Sequence, residues 1–184
     1  AVFQSLAMIT ATGYASIDFN AWSQPLKYLL LFAMFVGGSA GSTGGGIKVV
    51  RWVVIVKSVK RELFTSVHPE AVAPVRLGGQ PIDEGAVRGI QAFTLVYMLC
   101  FGVGAALIML DAARVGYDIS AFEGMAAAAS TVGNVGPGFG ALGPMNSYLN
   151  FPATSKLLMV FLMWIGRLEI IPVLVLLTRS YWRS

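Results

Sequence analysis

The sequence predicts an all-α, polytopic membrane protein built from pore-loop repeats, each an outer helix, a short pore helix, a tight turn and a long inner helix. Three observations predict it. Of the 184 residues, 56% are hydrophobic and 12% charged, against roughly 25% charged in a soluble domain, and the mean hydropathy is +0.71. The apolar residues fall into blocks, some near the roughly 20 residues that cross a bilayer and some clearly shorter. Each short block runs directly into a small Gly-containing turn, after which the chain continues to a long apolar segment.

The first short block is 1–10, followed by the turn Ala11-Thr12-Gly13-Tyr14-Ala15. The segment 25–59 is apolar at both ends but interrupted by Gly37-Gly38-Ser39-Ala40-Gly41-Ser42-Thr43-Gly44-Gly45-Gly46. Gly costs roughly 1 kcal/mol against Ala in a helix, so two half-helices joined by a non-helical loop are expected. At membrane depth such a loop is tolerated only where protein buries it or where it lines a water-filled cavity. Turn signals at His68-Pro69, Pro74, Gly78-Gly79 and Pro81 predict a connector with a small hairpin. A full apolar span follows at 89–110, then the second short block at 120–131 and the turn Thr131-Val132-Gly133-Asn134-Val135. A last span at 155–178 is interrupted only by Arg167 and Glu169. The internal repeat pairs 3–13 with 122–133. The expected organisation is a partial repeat at 1–60, a connector at 61–88 and a complete repeat at 89–184.

The distribution of charge predicts orientation. Lys48, Arg51, Lys57, Lys60, Arg61, Arg76 and Arg88 lie between the broken helix and the next span, and Arg179 and Arg183 follow the last one. Only Lys27, Arg114 and Lys156 lie near helix ends on the other side. Positive residues concentrate on the cytoplasmic side of membrane proteins, so 61–88 and the C-terminus are expected there, with the turns opening outwards. Trp22, Tyr181 and Trp182 are placed at the interfaces, where amphipathic rings anchor. The net charge of +4 is therefore a topology signal and predicts no nucleic-acid partner. Cys100 is the only cysteine, so no intrachain disulfide forms. His68 has no ligand-spaced partner. No Ser/His/Asp set, metal-spaced cluster or carboxylate pair suggests an enzyme. Gly44-Gly45-Gly46-Ile47-Lys48 fails the phosphate-loop pattern, which needs Lys directly after the last Gly and then Ser or Thr.

The two turns carry the candidate chemistry. Both are similar to the TVGYG filter of potassium channels, in which backbone carbonyls replace the hydration shell of an ion. The C-terminal end of the preceding short helix carries partial negative charge and favours a cation. The candidate filter residues are Ala11, Thr12, Gly13 and Tyr14, with Thr131, Val132, Gly133 and Asn134, and potassium is expected at carbonyls near Thr12, Gly13, Val132 and Gly133. Two ordinary interhelical turns are the plainer alternative. The Gly-rich loop (Gly41, Ser42, Thr43, Gly44, Gly45 and Gly46) is expected to act as a plug beneath the filter, with close helix packing through small residues as its alternative. Arg167, costing about 2.5–3.5 kcal/mol at a helix centre on insertion scales, is expected to face a wet cavity or a carboxylate. Glu169 is placed on another helix face. A coupled secondary transporter and a non-conducting membrane interaction subunit are the rival functional readings.

Four motifs in this order, GGSAGSTGGGIKVVR (37–51), VHPEAV (67–72), TVGNVGPGFG (131–140) and GRLEI (166–170), resemble the TrkH-type pore subunits of the Trk/Ktr/HKT superfamily. The resemblance covers essentially the whole chain. It implies four non-identical repeats around one pore, of which this chain is similar to the end of the third and all of the fourth. Gly13 and Gly133 would be filter positions, 37–46 an intramembrane gate and Arg167 the pore-facing arginine of the last inner helix. Potassium uptake across the bacterial inner membrane is the implied function, with no bound cofactor and K+ as the permeating ion. The implied partners are a second copy in a homodimer and a cytosolic nucleotide-binding (RCK-type) gating ring. Tyr181-Trp182-Arg183 resembles the natural end of the family, so the repeats not present here are expected upstream.

Overall fold

The computed structural model describes residues 2–42, 44–177 and 181–183. Among the described residues the chain forms seven α-helices and two short two-stranded ladders. The expected all-α fold is observed.

Two of the short helices end in the turns. α1 (Val2–Ile9) ends in the first turn, and α5 (Ala121–Val132) in the second. α5 starts at a reciprocal cap. The Glu123 N–H donates to Ser120 Oγ at 3.2 Å, and the Ser120 N–H donates to Glu123 Oε2 at 2.9 Å. The other oxygen, Oε1, accepts from the Ala141 N–H at 2.9 Å, so the cap also ties α5 to the segment beyond its turn. Burial pushes the Glu123 carboxyl up, but the bonds from Ser120 and Ala141 outweigh it and hold the group below the usual carboxylate range.

α2 (Gln24–Ala33) opens with Pro25 in its first turn, where the missing N–H costs nothing. The chain then leaves the helix as far as α3 (Val49–Val67). The neck of the intervening loop is closed by a parallel bridge between β1 (Val36–Gly37) and β2 (Ile47–Lys48), with Val36 opposite Ile47. Ile47 N–H donates to Phe35 C=O at 3.1 Å and Val49 N–H to Gly38 C=O at 3.2 Å.

α3 runs on to Val67 and α4 (Glu84–Val115) begins at an Asp83 cap, so the non-helical part of the expected connector is 68–83. Charged residues such as Lys57, Lys60 and Arg61 continue an amphipathic helix past its apolar part. The connector holds the hairpin β3 (Arg76–Leu77) and β4 (Gln80–Pro81). Val75 packs with Val54 of α3 and Val87 of α4, which fixes its base. An Arg61–Glu84 ion pair and a 2.7 Å bond from Gln91 Nε2 to Ser58 Oγ join α3 to α4.

α4 has 32 residues, about 48 Å at 1.5 Å per residue, and clears a hydrocarbon core of about 30 Å. Only 28% of its most apolar stretch is buried. A core helix of a soluble protein would be mostly covered, whereas Leu95, Leu99, Val103 and Leu110 are exposed, as a lipid-facing surface requires.

The expected continuous helix over 155–178 is broken. α6 (Ala153–Arg167) stops, Glu169 takes a left-handed φ of 57°, and α7 (Ile170–Leu177) restarts. Pro172 explains the break, since inside one helix its ring would clash with the Leu168 carbonyl and leave it without a donor. In the first turn of α7 proline is tolerated.

α4, α5 and α6 pack against one another. The two halves of the chain meet at the turn-bearing end through Phe19 and Phe139, edge to face at 5.2 Å. There Gly140 N–H donates to Asn20 Oδ1 at 2.8 Å, and Asn20 Nδ2 donates to Gly140 C=O at 3.3 Å. Replacing Ser120 with Ala removes one arm of the α5 cap and should cost about 1 kcal/mol, read as a lower Tm of the protein in detergent.

Candidate functional site

The two turns share one backbone pattern. In the first, Thr10 N–H donates to Leu6 C=O, Ala11 to Met8, and Thr12 and Gly13 both to Ala7. In the second, Gly133 N–H donates to Ala129 C=O, Asn134 to Thr131 and Val135 to Ser130, while Gly136 N–H donates to Ser130 Oγ at 3.1 Å. The offset between the two sets is constant. Dihedrals agree: Ala11 and Asn134 have φ of 53° and 52°, and Gly13 and Gly136 are both left-handed, at 67° and 111°.

The equivalent of Gly13 is therefore Gly136, and the expected pairing with Gly133 is corrected. Thr131 and Val132 are buried in α5, with Thr131 Oγ1 bonded back to Ala127 C=O at 2.8 Å. Gly133 caps that helix with φ −76° and corresponds to Thr10. Asn134 keeps its place, at the position of Ala11, and its side chain donates to Met163 C=O of α6 at 3.1 Å. Tyr14 is 74% exposed and Thr12 is exposed.

The turns abut. A side chain on Gly13 would strike the Val135 carbonyl and come within 2.8 Å of Pro137 Cδ. Only glycine satisfies both that approach and the positive φ. An open cavity of about 390 Å³ is lined by both turns, through Gly13, Tyr14, Gly136 and Pro137, and by Tyr148. Tyr148 Oη donates to the Gly136 carbonyl at 2.6 Å.

The Gly-rich loop lies against the opposite side of both turns. A Cβ on buried Gly45 would strike the Gly133 carbonyl, and one on Gly44 would sit 3.4 Å from the Thr10 carbonyl. These are equivalent carbonyls at the ends of the two short helices. Gly41 and Ser42 are exposed further along the loop, and Gly46 packs at the neck. Thr43 lies outside the described residues, as does Arg179.

One lysine organises this loop. Lys48 is 9% exposed, and its ammonium donates to Ser42 C=O at 2.8 Å, Ser42 Oγ at 3.2 Å and Gly44 C=O at 2.5 Å. Below it a cavity of about 190 Å³ is lined by 44–46, Lys48, Tyr97, Arg167 and Glu169. Glu169 accepts from Arg51 of α3 at 2.9 Å, and the Arg51 guanidinium lies 3.9 Å from the centroid of the Phe93 ring, a cation–π contact. Arg167 is exposed at the cavity. Gly166 lets α6 approach α5, because a Cβ there would strike the Val132 carbonyl.

Comparison with known proteins matches the cation transport protein family TrkH over residues 1–183. The chain belongs to the TrkH family. This TrkH-family chain is 39% identical over 185 residues to the Trk system potassium uptake protein TrkH of Vibrio parahaemolyticus. It is 37% identical over 186 residues to that of Halomonas elongata. Each alignment covers 100% of this chain and 36% of the relative, so the chain spans about a third of their length. The crystal structure of the potassium transporter TrkH from Vibrio parahaemolyticus superposes with a TM-score of 0.87 at 34% identity, covering 99% of this chain and 37% of that one.

Several residues of this TrkH-family site carry little or no motif signal. Gly136 was legible as the third residue of Asn134-Val135-Gly136-Pro137, matching Gly13 in Ala11-Thr12-Gly13-Tyr14. In the sequence Lys48 reads as a topology charge and as the end of a failed phosphate-loop pattern, whereas its burial makes it part of the loop. Arg51 as the partner of Glu169 has no local signal, since the pair is far apart in sequence. A double-mutant cycle of Arg51→Gln and Glu169→Gln, followed by thermal unfolding, should give a coupling of about 0.5–1 kcal/mol.

Proposed function

We propose that this chain supplies two of the four turns of a potassium filter in a Trk-type uptake system of the bacterial cytoplasmic membrane. The observation carrying this reading is the identical hydrogen-bond register of two adjacent turns, each closing a non-spanning helix, above a glycine loop. The third-repeat contribution is Ala11, Thr12, Gly13 and Tyr14. The fourth is Asn134, Val135, Gly136 and Pro137, with the Gly133 carbonyl at its base. Carbonyls at these positions replace water around a dehydrating cation, and the C-terminal ends of α1 and α5 favour its charge.

The loop of 41–46 then acts as the gate. Its Gly44 and Gly45 sit against the two turns, and the Lys48 ammonium holds Ser42 and Gly44. Arg167, at the cavity below, adds a positive barrier that a cation meets on the way through. The concentration of Lys and Arg around α3 and the connector supports a cytoplasmic position for that end. The family resemblance supports assembly as a homodimer with an RCK-type nucleotide-binding ring on the same face.

The test is potassium flux by the complete transporter carrying this segment, reconstituted in liposomes. Gly13→Ala and Gly136→Ala should each lower flux more than roughly tenfold, since either strains a left-handed position. Flux that survived both would sink the filter reading, and flux that required a sodium or proton gradient would favour a coupled transporter. Lys48→Met should raise flux severalfold by releasing the loop; unchanged or lower flux would count against a lysine latch.

A further inference from the structure

We infer that Tyr148 is a positioning residue for ion selection: with Ser130 it holds Gly136 from both sides and sets the direction of its carbonyl. This rests on the filter reading above and adds to it a residue outside the turn.

Gly136 needs such a restraint. Its φ of 111° lies where side-chain-bearing residues rarely go, and a Cβ there would meet nothing within 4 Å. Its α-carbon therefore has no packing of its own, although Gly13 abuts the Val135 carbonyl before it and the Pro137 ring after it. Hydrogen bonds do the holding: the N–H donates to Ser130 Oγ at 3.1 Å, and the carbonyl accepts from Tyr148 Oη at 2.6 Å. The two hydroxyls also lie within hydrogen-bonding reach of each other. Ser130 is buried within α5, at 1% exposure. Tyr148 opens a short 3-10 turn over Tyr148–Asn150, started by Ser147, whose Oγ accepts from the Leu149 N–H. The Tyr148 ring lies near Phe151, with centroids 6.4 Å apart.

The other turn is held differently. Gly13 is crowded by Val135 and Pro137, its N–H goes to a backbone carbonyl, and the brace falls beyond it. There Gln4 Oε1 accepts from Ser16 N–H at 3.1 Å and Ser16 Oγ at 3.2 Å. A carbonyl at Gly136 tied to a phenol cannot swing inwards to close on a smaller ion. Freed, it can shorten its distance to sodium. Tyr148 therefore discriminates against the smaller cation without needing to touch either one.

The experiment compares wild type, Tyr148→Phe, Ser130→Ala and the double variant in the complete transporter carrying this segment, in liposomes. It reads the apparent KM for potassium, the inhibition by sodium, and Tm. Tyr148→Phe should lower potassium-over-sodium discrimination roughly 3- to 10-fold, the size one hydrogen bond supports, with Tm unmoved. The double variant should fall short of the product of the single effects, because both act on one residue. If Tyr148→Phe lowers Tm, the ratio is read from Ser130→Ala, which leaves the tyrosine ring in place. Discrimination within roughly twofold of wild type in both single variants would overturn the inference. A wild type that moves no potassium would instead overturn the filter reading, and this inference with it.

Discussion

Backbone N–H and C=O groups that leave a helix at membrane depth must find partners inside the protein, because lipid offers none. The arrangement of this chain follows from that constraint. Many polar groups of its turns and loop are paired through the α-helix ends, the parallel bridge at the loop neck and a small set of side chains. Ser130, Tyr148 and Lys48 each complete a backbone group that regular structure leaves open. The carbonyls of Thr10 and Gly133 instead face the glycine loop.

Glycine and charge divide the work at the loop. Glycine at 45 allows main chain to lie directly beneath the Gly133 carbonyl, where any side chain would intrude. Once side chains are excluded, the loop has little packing of its own, and conformational entropy opposes a single conformation. Lys48 offsets this with charge-assisted bonds, which are about twice as strong as neutral ones. Arg51 is compensated by Glu169 on one side and by the face of Phe93 on the other. Glu169 reaches Arg51 from a left-handed position at the break between α6 and α7, so that break also serves the electrostatics below the turns.

Much of this was legible in the sequence where composition and local chemistry decide. Short apolar blocks ending in glycine turns became α1 and α5, and the glycine run became a loop between half-helices. The second turn was misaligned because Thr131-Val132-Gly133 resembles a filter motif in isolation. Helix propagation decided otherwise: Ser130, Thr131 and Val132 continue α5, so the first left-handed residue falls at Asn134. The break after Arg167 was signalled by Pro172, but its weight shows only when the carbonyl of Leu168 is counted as the acceptor it would leave empty.

Sequence alone determined that the chain is helical, embedded in lipid and interrupted at the glycine run, since hydropathy and glycine density act locally on the backbone. Only the tertiary structure decided which carbonyls meet the glycine loop and which charges pair between distant helices. Those outcomes depend on α1, α5 and the loop being brought together from distant parts of the chain. No local pattern records that Gly45 ends beneath Gly133, or that Tyr148 ends against Gly136.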